Sequence, residues 1–340
     1  MQQFRKNHHY VPKLYLKQWA RDGFIPTYRL LVANENVPLW KHQSLTGIAF
    51  HQHLYTYLMG QGETDEFERW LDNEFENPAA EAIRRVVRED RMLPEHWRRL
   101  VRFALSLDVR TPARMREFLS RQDETLQALM TETMKRSVDN IESAIKNNEP
   151  FPSHQADNET IRLFNISTEA LPDGSSQLKA ETIIGRRLWI WQMKHLLTET
   201  VKRLPVHRWT ILHAPPGILW PTSDNPFIRL NFQDEKNYNF RSGWGVRNGD
   251  LILPLSPKHL LYTSIGNINW QRGTVPDIET AKLLRKIIIE HADRYVFAQE
   301  PGDIHLIRPR VVCYEKFNNE ALVWREWHYE QSRAEKNFQS

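Results

Sequence analysis

Apolar residues along this chain recur at two different spacings, and the spacing changes more than once. From Thr64 to Asp90 they fall at Phe67, Leu71, Phe75, Ala79, Ala82, Ile83, Val86 and Val87. Steps of three and four place them on one face, which predicts a long helix. Pro78 is expected to bend or split it, because proline lacks the N–H and clashes with the preceding turn. A second helix is predicted from Pro94 to about Asp108, with Trp97, Leu100, Val101, Ala104 and Leu107 inward. Thr111-Pro112 reads as an N-cap followed by proline at the first helical position. It opens a third helix running from Pro112 toward Lys146, and a fourth is expected between Ala180 and Leu204.

Elsewhere the runs are short and rich in branched and aromatic residues, the composition of strands. Phe24 to Val32 and His53 to Leu58 read this way near the start. His207–Ala214, Phe227–Leu230, Leu251–Leu255, His259–Ser264, Arg294–Gln299 and Leu322–His328 follow later, with a helix from Pro276 to His291 among them. Asn147 to Asp157 and Leu171 to Ser176 are loops by composition. Helices and strands come in blocks, which predicts an α+β fold. The expected arrangement is a helical middle, about 64–204, beside a mainly β part, about 205–330 plus 24–58. Its mixed or antiparallel sheet is built from N-terminal and C-terminal strands. Residues 1–330 form one domain in this reading, and Gln331 to Ser340 a frayed polar tail.

Composition narrows the class. A chain of 340 residues can bury a core without staples. The hydrophobic share of 40% and charged share of 26% are those of an ordinary globular protein. Twelve tryptophans are many, and core packing is their expected use. The lone Cys313 excludes an internal disulfide and a Cys-rich zinc site, and it reads as part of a buried strand. A net charge of +4 permits nucleic acid as a partner without demanding it. No apolar run reaches the about 18 residues of a membrane span, and no signal peptide is evident, so the expected location is the cytoplasm, with no membrane partner.

Candidate chemistry clusters in a few places. Lys6-Asn7-His8-His9-Tyr10-Val11-Pro12 puts polar groups directly before the apolar anchor Leu14-Tyr15-Leu16 and Trp19. On an extended segment His8 and His9 point to opposite sides, so one of them serves a given site. Trp220-Pro221-Thr222-Ser223-Asp224-Asn225-Pro226-Phe227 is either an Asx-type turn or a carboxylate held rigidly at a strand end. Asp65, Glu66, Glu68, Asp72, Glu74 and Glu76 crowd one helical segment. Repulsion at i,i+4 becomes favourable if a cation or arginines face them. Arg84, Arg85, Arg88, Arg98, Arg99, Arg102 and Arg110 supply such charges, and Arg110 could bind a carboxylate or phosphate as a fork. His51 and His53, two apart on one strand face, form a possible metal pair. Phosphate-cradling glycine loops, the Gly-x-Ser-x-Gly elbow and the zinc-protease helix motif are missing.

These runs resemble a bacterial family of uncharacterised proteins, the domain of unknown function 4238. The resemblance rests on His9-Tyr10-Val11-Pro12 with Leu16; Glu68 and Glu76 followed by Pro78-Ala79-Ala80; and Arg110-Thr111-Pro112 with Arg114. Thr222-Ser223-Asp224-Asn225-Pro226, Pro254-Leu255-Ser256-Pro257 and Arg294-Tyr295-Val296 complete it. The stretch from about Asn147 to Ala180 carries none of the pattern. The resemblance implies one domain whose His, Glu, Arg and Ser-Asp-Asn elements converge, and it supplies no activity.

Two readings of function follow. In the first, His9, Asp224, Asn225, Arg110 and Glu76 form a catalytic set, with His9, Glu68 and Asp224 as ligands of Mg²⁺ or Mn²⁺. Oxygen and imidazole donors suit those ions, which clamp phosphoryl oxygens, so the expected reaction is phosphodiester hydrolysis, nuclease-like and compatible with defence against phage. In the second, the same residues are a buried polar network and the protein is a non-catalytic binding module. Burial and spacing distinguish the two: the first needs His9 and Asp224 on a shared cleft.

Overall fold

The computed structural model describes residues 4–59, 62–147, 165–170, 176–204, 206–267 and 270–339. The loops read at 147–157 and 171–176 lie outside them, apart from Asn147 and Ser176. The fold is α+β, as the blockwise pattern predicts. Its largest sheet has five antiparallel strands in the order Thr210–His213, His259–Ser264, Gly249–Ser256, Ile228–Phe232, Tyr238–Asn239. Period-two alternation assigns its faces. Leu251, Leu253 and Leu255 join Phe75, Phe103 and Leu107 of the helical middle in the main core. Ile252, Leu260, Leu212 and Ile228 face the opposite way, onto Ala281, Leu284, Ile287 and Ile288. Those last four belong to the helix Ile278–His291, whose N-cap Asp277 accepts the N–H groups of Glu279 and Thr280.

A second sheet joins the two ends of the chain: Thr222–Ser223, Tyr295–Phe297, Phe24–Arg29 and Trp40–Ser44, in that order and antiparallel. The opening run is pinned too, since Asn7–His9 pairs with Phe50–Gln52 in the register His8↔His51. Trp19 and Tyr15 then plug the core as fully buried rings, their polar tips bonded to the Trp220 and Pro254 carbonyls. Among the twelve tryptophans, Trp191 and Trp270 are exposed and the rest are buried or half-buried, so the rings are used for packing.

The helical segment containing Pro78 runs as α-helix Glu66–Leu71, a π-helical turn Asp72–Glu76 and α-helix Asn77–Val87. Pro78 therefore follows directly on the π turn, and the helical backbone continues through it without a break. The helices Pro94–Val109 and Pro112–Asn147 begin as predicted, with the Thr111 hydroxyl facing the Arg114 N–H at 3.4 Å.

Four expectations need correction. The helix placed from Ala180 starts later, at Arg186, because Ser176–Glu181 pairs as an antiparallel strand with Asn165–Ala170. Leu322–His328 is not a strand; it lies inside the helix Tyr314–Gln339. Trp324, Trp327, His328, Gln331, Ser332 and Glu335 turn inward at helical spacing, while Leu322 and Val323 are exposed. Gln331 to Gln339 is accordingly a docked helix end, with Glu335 buried against Arg186 and the Leu58 N–H. Cys313 is half-buried where the short strand Val311–Val312 meets this helix.

Candidate functional site

The Asp224 run forms the edge strand Thr222–Ser223, paired with Phe297 and Val296. The Asp224 N–H continues the ladder to the Tyr295 carbonyl. The Asp224 carboxylate accepts the N–H groups of Asp293 (2.9 Å) and Arg294 (2.8 Å). This is a carboxylate held rigidly at a strand end, clasping the turn that leads out of the helix Ile278–His291. Asn225 faces away from it. Its amide bonds Thr111 and His291, and the His291 Nδ1–H can donate to the Asn225 carbonyl at 2.8 Å. All three groups are buried, which makes Asn225 a scaffold residue.

Beside Asp224 lies a cleft of about 210 Å³, lined by Tyr10, His51, Arg116, Asp293, Arg294, Glu320 and Trp324 among others. Asp293 pairs with both Arg116 and Arg294. Arg294 also bonds Glu320 at 2.7 Å. The Trp324 ring stacks on His51 at 3.7 Å and 14° and so closes one wall. Burial pushes the Asp224 carboxyl up to a pKa of about 7, and the nearby Asp293 charge adds to the shift, against the pull of the backbone N–H groups. Burial takes His51 down to about 3, so this imidazole is neutral at pH 7.

The expected ligands His9 and Glu68 are not at this cleft. Tyr10 is, which follows from the alternation of an extended segment. His9 sits against Phe50 with Lys13 and Arg110 as its cationic neighbours, and burial lowers its pKa to about 4. Glu68, Glu76 and Arg110 form a separate interior network. Arg110 has no exposed surface; its guanidinium bonds Glu76 Oε1 (2.8 Å), the Tyr10 carbonyl (3.1 Å) and the His9 carbonyl. Glu68 accepts the His9 N–H, and burial raises its pKa to about 8, opposed by Arg110. Glu76 is raised by burial against the same guanidinium. The remaining acids and bases of this region are largely mutually paired: Asp65 with Arg69, Asp72 with Arg5, Glu74 with Arg102, and Glu81 with Arg84 and Arg85. Arg88, Arg98 and Arg99 are exposed.

The candidate residues thus divide between two places joined by residues 9 and 10. Arg110 and Glu68 grip the backbone at His9 and Tyr10, and that grip carries the Tyr10 ring to the Asp224 cleft. Among the described residues, two groups of three side chains bring metal-capable atoms within 4.8 Å of one another: His53/Glu63/His328 and Glu89/His213/His259. The set His9, Glu68 and Asp224 is not one of them. His51 and His53 do not act as a pair either. His53 leaves the strand with a positive φ of 56° and stacks on His328. Sequence reasoning passed over Tyr10, Arg116, Asp293, Glu320 and Trp324 as site residues. Asp293 stands beside the Arg294-Tyr295-Val296 run, which was the available signal.

Fold and cleft together define an α+β protein whose N- and C-terminal strands share a sheet and enclose a small pocket of carboxylates and guanidiniums. The chain belongs to the family described as protein of unknown function, DUF4238, whose pattern matches residues 7–301. No curated protein and no solved structure matches it. No helix among the described residues is long and apolar enough to cross a membrane.

Proposed function

We propose that the chain is a metal-dependent phosphodiester hydrolase working at the Asp224–Asp293 cleft, with nucleic acid as the substrate class. The observation that supports this reading is the placing of two carboxylates side by side on a cleft flanked by Arg116 and Arg294. The lining sets three carboxylates (Asp224, Asp293, Glu320) against two guanidiniums, with Arg308 close enough to act on Asp224 and Asp293 as well. A Mg²⁺ or Mn²⁺ ion held by the two aspartates would add the positive charge that favours a phosphodiester anion there. These ions bind through one or two carboxylates together with substrate oxygens, and an ion held here would supply Lewis-acid chemistry to the phosphoryl group. In this reading Asp224 and Asp293 hold the ion, and Arg116 and Arg294 exchange a carboxylate partner for the phosphate. Arg110, Glu68, Glu76, Asn225 and the His9 backbone keep the walls in place. The test is cleavage of labelled single- and double-stranded oligonucleotides with Mg²⁺, with Mn²⁺ and with EDTA. Metal-dependent cleavage that disappears in Asp224→Asn is the expected result, and no cleavage by the parent protein counts against the reading.

The second reading, a binding module without catalysis, draws on a different observation. Glu68, Glu76 and Arg110 are buried together with Arg110 bonded to Glu76, and both Asp224 oxygens already accept backbone N–H groups. On that reading Asp224→Asn lowers the melting temperature, and the parent protein has no cleavage to lose.

A further inference from the structure

We propose that Glu89, His213 and His259 form a Zn²⁺ site, separate from the Asp224 cleft, that ties the end of the helix Asn77–Val87 to the edge of the five-stranded sheet. The two histidines are direct cross-strand partners, His213↔His259, on the strands Thr210–His213 and His259–Ser264. Their rings stand nearly perpendicular, 82° apart with centroids at 4.9 Å. Glu89 Oε1 lies 3.7 Å from His213 Nδ1 and 3.7 Å from His259 Nε2. That is too long for a hydrogen bond. It is close to the separation of about 3.3 Å between neighbouring ligand atoms in a tetrahedral zinc site with bonds near 2.0–2.1 Å. The Glu89 side chain is largely exposed and can close the difference.

A second observation concerns the burial of His259. His259 is almost fully buried, yet its Nε2 has no hydrogen-bond partner. Buried polar atoms are seldom left so. Its other nitrogen, Nδ1, lies 2.8 Å from Ser256 Oγ. With Nδ1–H donated to that hydroxyl, Nε2 presents a bare lone pair, the arrangement that outer-shell bonds impose on metal-ligating histidines. Ser256 comes from the Pro254-Leu255-Ser256-Pro257 run, which the Asp224 cleft does not use.

Two imidazoles and one carboxylate favour Zn²⁺ over Mg²⁺, whose preferred donors are oxygens. Three protein ligands leave the fourth position to water. The other group of three, His53, Glu63 and His328, suits a cation less well. Its two rings lie parallel at 3.9 Å, which keeps their in-plane lone pairs from converging. The Arg186 guanidinium stands 3.3 Å from His328 Nδ1, and His328 Nε2 already faces Glu63 at 3.1 Å.

The experiment is titration of the EDTA-stripped full chain with Zn²⁺ by calorimetry, and with Co²⁺ by visible absorption. The expected result is one equivalent bound, with the intense d–d bands of a four-coordinate Co²⁺ site. His213→Ala abolishes the binding, and Glu89→Gln weakens it at least tenfold. Both residues reach solvent, so both variants are expected to fold, which far-ultraviolet circular dichroism checks. His328→Ala is expected to leave the titration unchanged. Absence of Zn²⁺ uptake by the parent protein overturns the proposal. So does uptake that survives both substitutions, or uptake that His328→Ala removes.

Discussion

Arg110 Nη2 meets Glu76 Oε1 at 2.8 Å with the guanidinium wholly out of solvent, while the same side chain holds the carbonyls of His9 and Tyr10. A buried pair of this kind is costly to break from one side, because the remaining charge is left without a partner, at about 3–5 kcal/mol. Arg110→Lys keeps the charge but loses the fork that reaches three acceptors. Urea denaturation is expected to show a loss of that size for Arg110→Ala and a smaller but measurable loss for Arg110→Lys. A change below about 1 kcal/mol for Arg110→Ala, the scale of an exposed pair, would mean that the network does not anchor the opening segment.

Glu68 sets a pH dependence whose sign can be worked out. Its folded pKa of about 8 lies above its ordinary value. Between those two values the folded state binds more protons than the unfolded chain, so stability falls as pH rises through that window. The histidines His8, His9, His51 and His291 have lowered pKa values, and they make stability rise with pH up to about 6.5, where their unfolded forms lose the proton. Asp224 pulls the other way, but its contribution fades above about 7. From pH 7 to 8 Glu68 makes the largest single contribution among these groups, while the residual titration of Asp224 and that of the unfolded histidines oppose one another. Denaturation free energies are expected to drop there by roughly 1 kcal/mol, and Glu68→Gln is expected to flatten the slope. An equal slope in the variant would remove Glu68 as its source.

The docked end of the C-terminal helix rests on Glu335, which takes the Leu58 N–H at 2.9 Å and pairs with the buried Arg186 at 3.0 Å. Glu335→Ala leaves that guanidinium without its carboxylate. Hydrogen exchange at Leu58 and along residues 331–339 is expected to speed up at least tenfold, while the five-stranded sheet keeps its protection. Unchanged exchange at Leu58 would show that the helix end docks through other contacts.

Proton and metal compete for Asp224 if an ion is held between it and Asp293. The affinity for Mn²⁺ is therefore expected to fall about tenfold per pH unit below pH 7. Titration calorimetry at several pH values reads this directly, and a flat profile would place any bound Mn²⁺ away from Asp224.

Much of the fold was legible because helical spacing and proline or threonine caps are local signals. Pro94 and Thr111-Pro112 open helices where the sequence says they should. The failures have physical causes as well. Leu322-Val323-Trp324 has strand composition, but burial chooses Trp324, Trp327 and Gln331 from a helix. Asp224 was legible as a rigid carboxylate because prolines bracket its turn. Its partnership with Asp293 was not, because a register between distant strands creates it. The same holds for His213 and His259, which only strand pairing brings together. His9 was singled out for its chemistry, yet the pleat turns Tyr10, not His9, toward the cleft.

In the proposed hydrolase, Asp224 and Asp293 act together on one phosphodiester. Asp293 is the more telling position, because it sits at the partly exposed mouth of the cleft and its replacement leaves the backbone clasp of Asp224 intact. The deciding measurement is the Mn²⁺-dependent cleavage rate of Asp293→Asn beside its melting temperature. The expected rate is at least a hundredfold below the parent, with the melting temperature nearly unchanged. Parent-like cleavage by this variant would contradict it.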